Sequence, residues 1–170
     1  MHIPQKTITY EVYANGSERM TGTAVLTPPP FESSSDTIKT SAGEYNVPTV
    51  GIFGALPFSL TFVDANESVL RFAEGTTQRF SCRASKQRYD TAAAQIIKVP
   101  LRIDFTVIIT SCNSGNVEVA AASEGTISGE TMIYQHWIDG KEWRFYDREN
   151  MIYRVDGVDQ WAEIRSHIGR

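Results

Sequence analysis

A mainly β fold, a β-sandwich or barrel with long hairpins and short flanking helices, is what three observations predict. Apolar side chains occupy every odd position from Ile97 to Ile109, while Lys98, Arg102, Asp104, Thr106 and Thr110 hold most of the even ones. That two-residue period marks a strand with one buried face. Two Asx-Gly pairs, Asn15-Gly16 and Asp139-Gly140, stand between alternating segments and supply the positive-φ residues of tight hairpin turns. Only two short stretches, 66–75 and 157–168, read as helix.

The elements follow in order. Ile8, Tyr10 and Val12 alternate with Thr7, Thr9 and Glu11, and Asn15-Gly16 turns the chain back, so 7–27 is expected to form a hairpin. Pro28, Pro29 and Pro30 then exclude a sheet interior. The segment 28–56 is rich in Ser, Thr and Gly, and it is long for a connection, where about 4–6 residues is usual. It nevertheless carries Ile38, Tyr45, Val47, Val50, Ile52, Phe53 and Leu56. Apolar residues in such a loop point to an arm ordered by a partner, or to an ordinary packed loop. Phe58, Leu60 and Phe62 alternate in a strand over 58–64, and Asn66 caps a short helix that Gly75 ends.

The longest element is a hairpin over 78–110. Phe80, Cys82 and Ala84 alternate with Arg79, Ser81, Arg83 and Ser85 on its first strand, the turn falls within Asp90–Gln95, and 97–109 form the second. A strand of about 13 residues spans roughly 40 Å, where strands average about 5–6 residues. It is either a bent member of a closed barrel, or it runs past its own core into a sheet shared between subunits; Pro100 marks a bulge or an edge. Farther on, 117–121 reads as a short strand, and a second hairpin turns at Asp139-Gly140. Its Trp137, Trp143 and Phe145 are expected in the core, since a base-stacking platform would interleave basic residues. After a last strand near 150–155, Val158, Trp161, Ile164 and Ile168 form the apolar stripe of a terminal helix over 157–168, which Gly169 ends.

With 170 residues, 41% apolar, the chain predicts a single domain over 1–170 that buries a core without disulfides or metal. Twenty acidic against 16 basic residues, a net charge of −4, argue against a dedicated nucleic-acid binder. No run reaches the roughly 18 apolar residues of a membrane span. The opening MHIPQKTITY lacks an apolar signal core, which predicts a chain not exported by that route. Cys82 and Cys112 read as small core or rim residues, and a disulfide requires their strands to be neighbours. His2, His136 and His167 have no second ligand at metal spacing, and no GxSxG, GxGxxG or phosphate loop is present. Asp36 and Glu44, an imaginable acid–base pair, sit in a polar loop. No catalytic residue, cofactor or metal is expected, and the chain reads as not an enzyme.

The string NMIYRVDGVDQWAEIRSHIG, residues 150–169, resembles the C-terminal signature of the major tail tube protein of contractile-tailed phages and the related R-type tailocins. The matching positions are Asn150, Met151, Ile152, Val155, Gly157, Val158, Asp159, Ile168 and Gly169. The IDGKE hairpin before them and Gln87–Thr91 fall where that family has its penultimate hairpin and the turn of its long one.

The resemblance implies a tail-tube-like β-sandwich or barrel. Six subunits close a ring, and rings stack into a hollow tube inside the sheath. It implies that long hairpins join into one barrel lining a channel, with Lys98, Arg102, Asp104 and Thr106 facing the lumen. It implies that the long loop, through Ile38, Tyr45, Val47, Val50, Ile52 and Phe53, reaches the neighbouring ring. The implied partners are further copies of the chain, the tail sheath protein, and the tape measure and baseplate or initiator proteins. DNA passes through unbound, and the protein is made in the host bacterial cytoplasm and ends in the virion. The tube of a tailocin or another contractile injection or secretion system shares this fold, and a small-molecule-binding β-barrel is the competing reading from another class.

A conduit for DNA should repel it, yet the proposed lumen face carries Arg79, Arg83, Lys98 and Arg102. Either other strands add carboxylates, or a neighbour's acids pair these cations, or the faces are reversed.

Overall fold

The computed structural model describes residues 1–170. In chain order the strands are β1 (His2–Ala14), β2 (Glu18–Met20), β3 (Thr23–Thr27), β4 (Ser33–Thr40), β5 (Gly43–Phe53) and β6 (Pro57–Phe62), then α1 (Glu67–Leu70). After these come β7 (Thr77–Asp90), β8 (Gln95–Asn113), β9 (Thr126–Ile138), β10 (Lys141–Asp147), β11 (Ile152–Val155), β12 (Val158–Asp159) and α2 (Ala162–His167). The fold is mainly β, as the alternation predicts.

One antiparallel sheet runs β12-β11-β10-β9-β8-β7-β1-β2, and it branches at β9. The first half of β9 pairs β6, which pairs β3, while its second half pairs β10. The switch is marked in the β8–β9 register, where Thr106 faces Ile133 and Val107 faces Thr131, leaving Met132 as the extra residue of a bulge. Bulges bend and twist a strand, and this one lets β6 and β3 fold over the face of β1, β7 and β8. Phe58, Leu60 and Phe62 from β6 meet Phe80 from β7, Phe105, Val107 and Ile109 from β8, and Val69 from α1, all of them buried. The interior is filled by side chains, with Phe58 stacked on Phe80 at 5.2 Å and tilted against Phe105 at 5.1 Å.

The long hairpin forms as expected and exceeds expectation. β8 is 19 residues long, with unbroken β7 pairing from Thr77↔Ile108 to Asp90↔Gln95. Every odd residue from Val99 to Ile109 is buried, and the even ones are exposed or half-buried. Asn66 caps α1 by accepting from the Ser68 amide. Both Asx-Gly turns have the expected backbone, Asn15 at φ 49° with Gly16 at 98°, and Asp139 at 55° with Gly140 at 75°.

Several expectations are corrected. The return strand of the first hairpin splits: β2 pairs β1 only from Val12 to Ala14, and β3 leaves to pair β6. Segment 28–56 is not an irregular loop, because β4 and β5 make a separate two-stranded hairpin whose side chains are almost all exposed. Residues 117–121 form no strand; Val117 and Val119 are 94% and 100% exposed. The helical turns of the terminal segment begin only at Ala162, since Val158-Asp159 is still strand; of the predicted stripe Trp161 is buried and Ile164 half-buried, while Val158 and Ile168 face solvent. Trp137, Trp143 and Phe145 are not core residues: Trp143 is 44% exposed, and the other two lie on the polar face opposite Arg102 and Gln135. The buried aromatics of this region are Tyr134, Tyr146 and Trp161.

Candidate assembly surfaces

The hairpin β7–β8 outruns the core it covers. β9 begins to pair β8 only at Leu101, so one side of Gln95–Pro100 is an open edge. On the far side β1 continues along β7 to His2↔Asp90, but β2 covers only its last three residues, so the outer side of His2–Glu11 is open as well. The result is a three-stranded extension, β1–β7–β8, with two unpaired edges. Pro100 belongs to the edge reading rather than the bulge reading: its carbonyl accepts from the Asp139 amide where β9 has just ended, and its pairing with Ser85 is undisturbed. Its missing N–H therefore falls where no ladder bond is due. Pro4, Lys6 and Lys98 join it on the two open strands, the residue types that blunt edges against indiscriminate pairing.

Lys98, Arg102, Asp104 and Thr106 share the face of β8 that looks away from the core. Arg102 and Asp104 form an ion pair at 2.9 Å. Across the sheet, Arg102 stands directly opposite Arg83, and Thr106 opposite Arg79. β1 adds Glu11 opposite Arg83, with its carboxylate taken by Arg19 and by the Tyr13 hydroxyl at 2.9 Å. The Arg83 guanidinium lies over the Tyr13 ring at 4.7 Å. Other strands thus contribute a carboxylate, yet Arg79, Arg83 and Lys98 make no ion pair within the chain. An open depression of about 390 Å³ on this face is lined by Arg79, Ser81, Arg102, Asp104, Thr106 and Gln135, among others.

The second surface is the β4–β5 hairpin. Ile38, Tyr45, Val50 and Ile52 are 42% to 75% exposed, and Val47 is half-buried. Phe53 differs from them, because it belongs to the root of the hairpin. With Phe31 it packs into a cluster with Tyr134, Tyr146, Tyr153 and Trp161, at centroid distances from 4.9 Å for Phe53–Tyr153 to 5.9 Å for Phe53–Trp161. Gly51, at φ 80°, passes beneath the Trp161 indole, where a Cβ would lie 2.8 Å from Nε1. Sequence reading missed this root; two aromatics flanking a Pro/Ser-rich segment were its only signal. Asp36 and Glu44 do not converge: Asp36 faces Val47, and Glu44 pairs Lys39 at 2.9 Å.

The C-terminal motif is a locked turn–strand–turn–helix unit. Asp147 accepts from the Asn150 amide and side chain, and Met151 follows at φ 53°. Asp156 and Gly157, at φ 52° and 82°, turn Val155 onto Val158. Asp159 accepts from the Trp161 amide at 3.0 Å and pairs Arg165, which also donates to the Met151 carbonyl at 2.6 Å. The Arg165 hydrogen bond holds the Asp159 carboxyl below the usual carboxylate range. Arg165, outside the recognised string positions, ties its two halves together. Ile168 is 58% exposed and Gly169 takes φ 78°.

Cys82 and Cys112 are both free. Cys82 faces Ile103, nine residues from Cys112 along β8 and so roughly 30 Å away. Burial pushes the Cys82 thiol up to about 11, far from a reactive thiolate. No three His, Cys, Asp or Glu side chains gather at metal-binding distance. No helix is long and apolar enough to cross a membrane.

His136 gives the sheet a pH dependence. Its Nδ1 shares a 2.8 Å hydrogen bond with the Tyr134 hydroxyl, its Nε2 is buried without a partner, and burial, then Lys86 and Arg144, lower its pKa below 6.5. The unfolded chain therefore binds the proton more readily than the folded one. Stability is complete above about pH 6.5 and declines as pH falls toward the lower folded value. A fall in Tm from about pH 7.5 to about pH 5.5 is expected in the wild type and is largely removed in His136→Gln.

A β subunit with a filled core, a sheet that outruns that core with both edges open, and a second hairpin presenting apolar side chains to solvent belongs to the class of self-associating structural proteins. The chain belongs to the phage tail tube protein FII family, whose model matches residues 4–169. None of the curated proteins matches it. The family makes the chain a structural subunit of a phage tail tube and a component of the virion tail.

Proposed function

We propose that six copies close into a ring through the open edges of the extension, and that rings stack into the inner tube of a contractile tail, a conduit for DNA through the host envelope. The observation that carries this reading is the three-stranded extension itself. Each copy offers one β1 edge and one β8 edge, and joining the first to the second of a neighbour is a heterologous contact that closes when the rotation fits. Closure removes edges that otherwise invite aggregation. In such a barrel the face bearing Lys98, Arg102, Asp104 and Thr106 lines the lumen, opposite the buried core. There Arg79, Arg83 and Lys98 meet a neighbour's carboxylates, because a lumen of free cations would hold DNA rather than release it. The β4–β5 hairpin reaches the adjoining ring. The sheath surrounds the tube, a tape measure sets its length, and baseplate proteins initiate it, all after synthesis in the bacterial cytoplasm.

Negative-stain microscopy of the purified protein, with and without initiator proteins, tests the reading: stacked rings with a central hole are expected, and a monomer under every condition overturns it. Deleting residues 34–50, which keeps Phe31 and Phe53 at the root, is expected to leave the melting transition close to wild type and to stop growth beyond single rings. Full-length tubes from that variant would remove the arm from the assembly.

A further inference from the structure

The two ends of the long sheet carry opposite charge. At the hairpin end, residues 1–10 and 84–99 hold Lys6, Lys86, Arg88 and Lys98 against Asp90 alone, a net of +3. At the other end, residues 63–76 and 113–126 hold Asp64, Glu67, Glu74, Glu118 and Glu124 against Arg71 alone, a net of −4. Arg71 is already paired with Glu18, while none of the five carboxylates and none of the four cations forms an ion pair within the chain. The 14 residues of β7 put about 45 Å between the ends. That exceeds the Debye length of about 10 Å at 0.1 M salt, so the two patches do not satisfy each other within one copy.

Each end also carries exposed apolar side chains. Ile3 and Ile96 are 46% and 58% exposed at the basic end; Leu70, Val117 and Val119 are 63%, 94% and 100% exposed at the acidic end. An apolar centre with a charged rim is the anatomy of a protein interface. The segment 117–121, strand-like in sequence yet unpaired, lies in the middle of the acidic patch.

We propose that the basic hairpin end of one copy seats on the acidic end of the next, apolar centre on apolar centre. Lateral pairing then uses the backbone edges of β1 and β8, while end-to-end seating uses side chains at the two ends of the same sheet. Tip against tip would bring +3 to +3, and base against base −4 to −4, so growth along the strand direction is polar and only head-to-tail. This inference rests on the tube reading and gives its stacking contact a chemistry: carboxylates with Lys and Arg around Ile and Val.

Light scattering of the purified chain over a range of NaCl concentrations tests it. Steering between opposite patches changes association rates by about 10- to 1,000-fold, so growth is expected to slow at least about tenfold between about 0.05 M and about 0.5 M salt. Lys86→Glu/Arg88→Glu, on the central strand, takes the hairpin end from +3 to −1 and makes both ends acidic, and Glu74→Lys/Glu118→Lys/Glu124→Lys takes the other end from −4 to +2 and makes both basic. Each variant, with a melting transition like wild type, is expected not to grow alone, and the two mixed are expected to grow as an alternating polymer. Growth of either variant alone at the wild-type rate, a mixture that stays inert, or tubes that form independently of salt would overturn the inference while leaving the tube reading standing. A wild-type chain that never associates would overturn both.

Discussion

Phe105→Asp is expected to abolish folded protein, whereas Thr106→Asp, one residue along, is expected to leave it intact. Phe105 is 2% exposed and packs against Phe58 at 5.1 Å and Tyr134 at 5.5 Å. Truncating a buried Phe costs about 3–5 kcal/mol. Burying an unpaired carboxylate costs several kcal/mol more, and no cation lies on that face of β8 to receive it. Together these approach the roughly 5–15 kcal/mol that separates a native domain from its unfolded state. Thr106 is half-buried on the opposite face, directly across from Arg79, which has no ion pair of its own. A carboxylate there changes stability by about 1 kcal/mol or less, in either direction. Soluble yield and far-UV circular dichroism separate the two outcomes. A folded, soluble Phe105→Asp would mean that the alternation along β8 does not define the core.

That alternation is why so much of the fold was legible. A strand whose two faces see different solvents writes its period into the sequence, so 97–109, its partner over 78–90 and the turn between them could be read directly. The Asx-Gly turns were legible for a comparable reason, since their backbone demands particular residues. What could not be read was which strand pairs which. β3 leaves the first hairpin for β6 because Leu60 and Phe62 of β6 sit buried above the sheet, a fact of three dimensions. The β4–β5 hairpin hid itself because nearly all of it is exposed on both faces, and without one-sided burial there is no two-residue period to find. The same holds for Trp143 and Phe145. Their outward positions are stabilised by Lys141 over one ring at 4.2 Å and Arg154 over the other at 4.3 Å, contacts that composition alone assigns to a core. Of the candidate surfaces, the polar face of β8 was visible as a pattern. The open edges were not, because an edge is defined by where the neighbouring strands end.

Gly129→Val is expected to be the most disruptive substitution of a residue that has no side chain. Gly129 sits in β9 between Phe58 of β6 and Ile109 of β8, at the stretch where β9 serves both partners. A Cβ there would meet Val107 Cγ1 at 2.3 Å and the Ile108 carbonyl oxygen at 2.5 Å. The first contact ends on a fully buried side chain, and the second is backbone, so neither can give way without moving β8. Overpacking a core costs about 1–3 kcal/mol where side chains can yield, and more where they cannot. Gly129→Ala is therefore expected to lower the unfolding free energy by about 3 kcal/mol. Gly129→Val, with two further methyl groups, is expected to force β9 off β6 and leave little folded protein. Denaturant titration reads the difference through the midpoint. The branch that carries β6 and β3 over the sheet would open first, exposing Phe58, Leu60 and Phe62 to a dye that binds apolar surface. A Gly129→Val chain with a wild-type midpoint would show that the close approach of β9 to β8 is not what holds the branch in place.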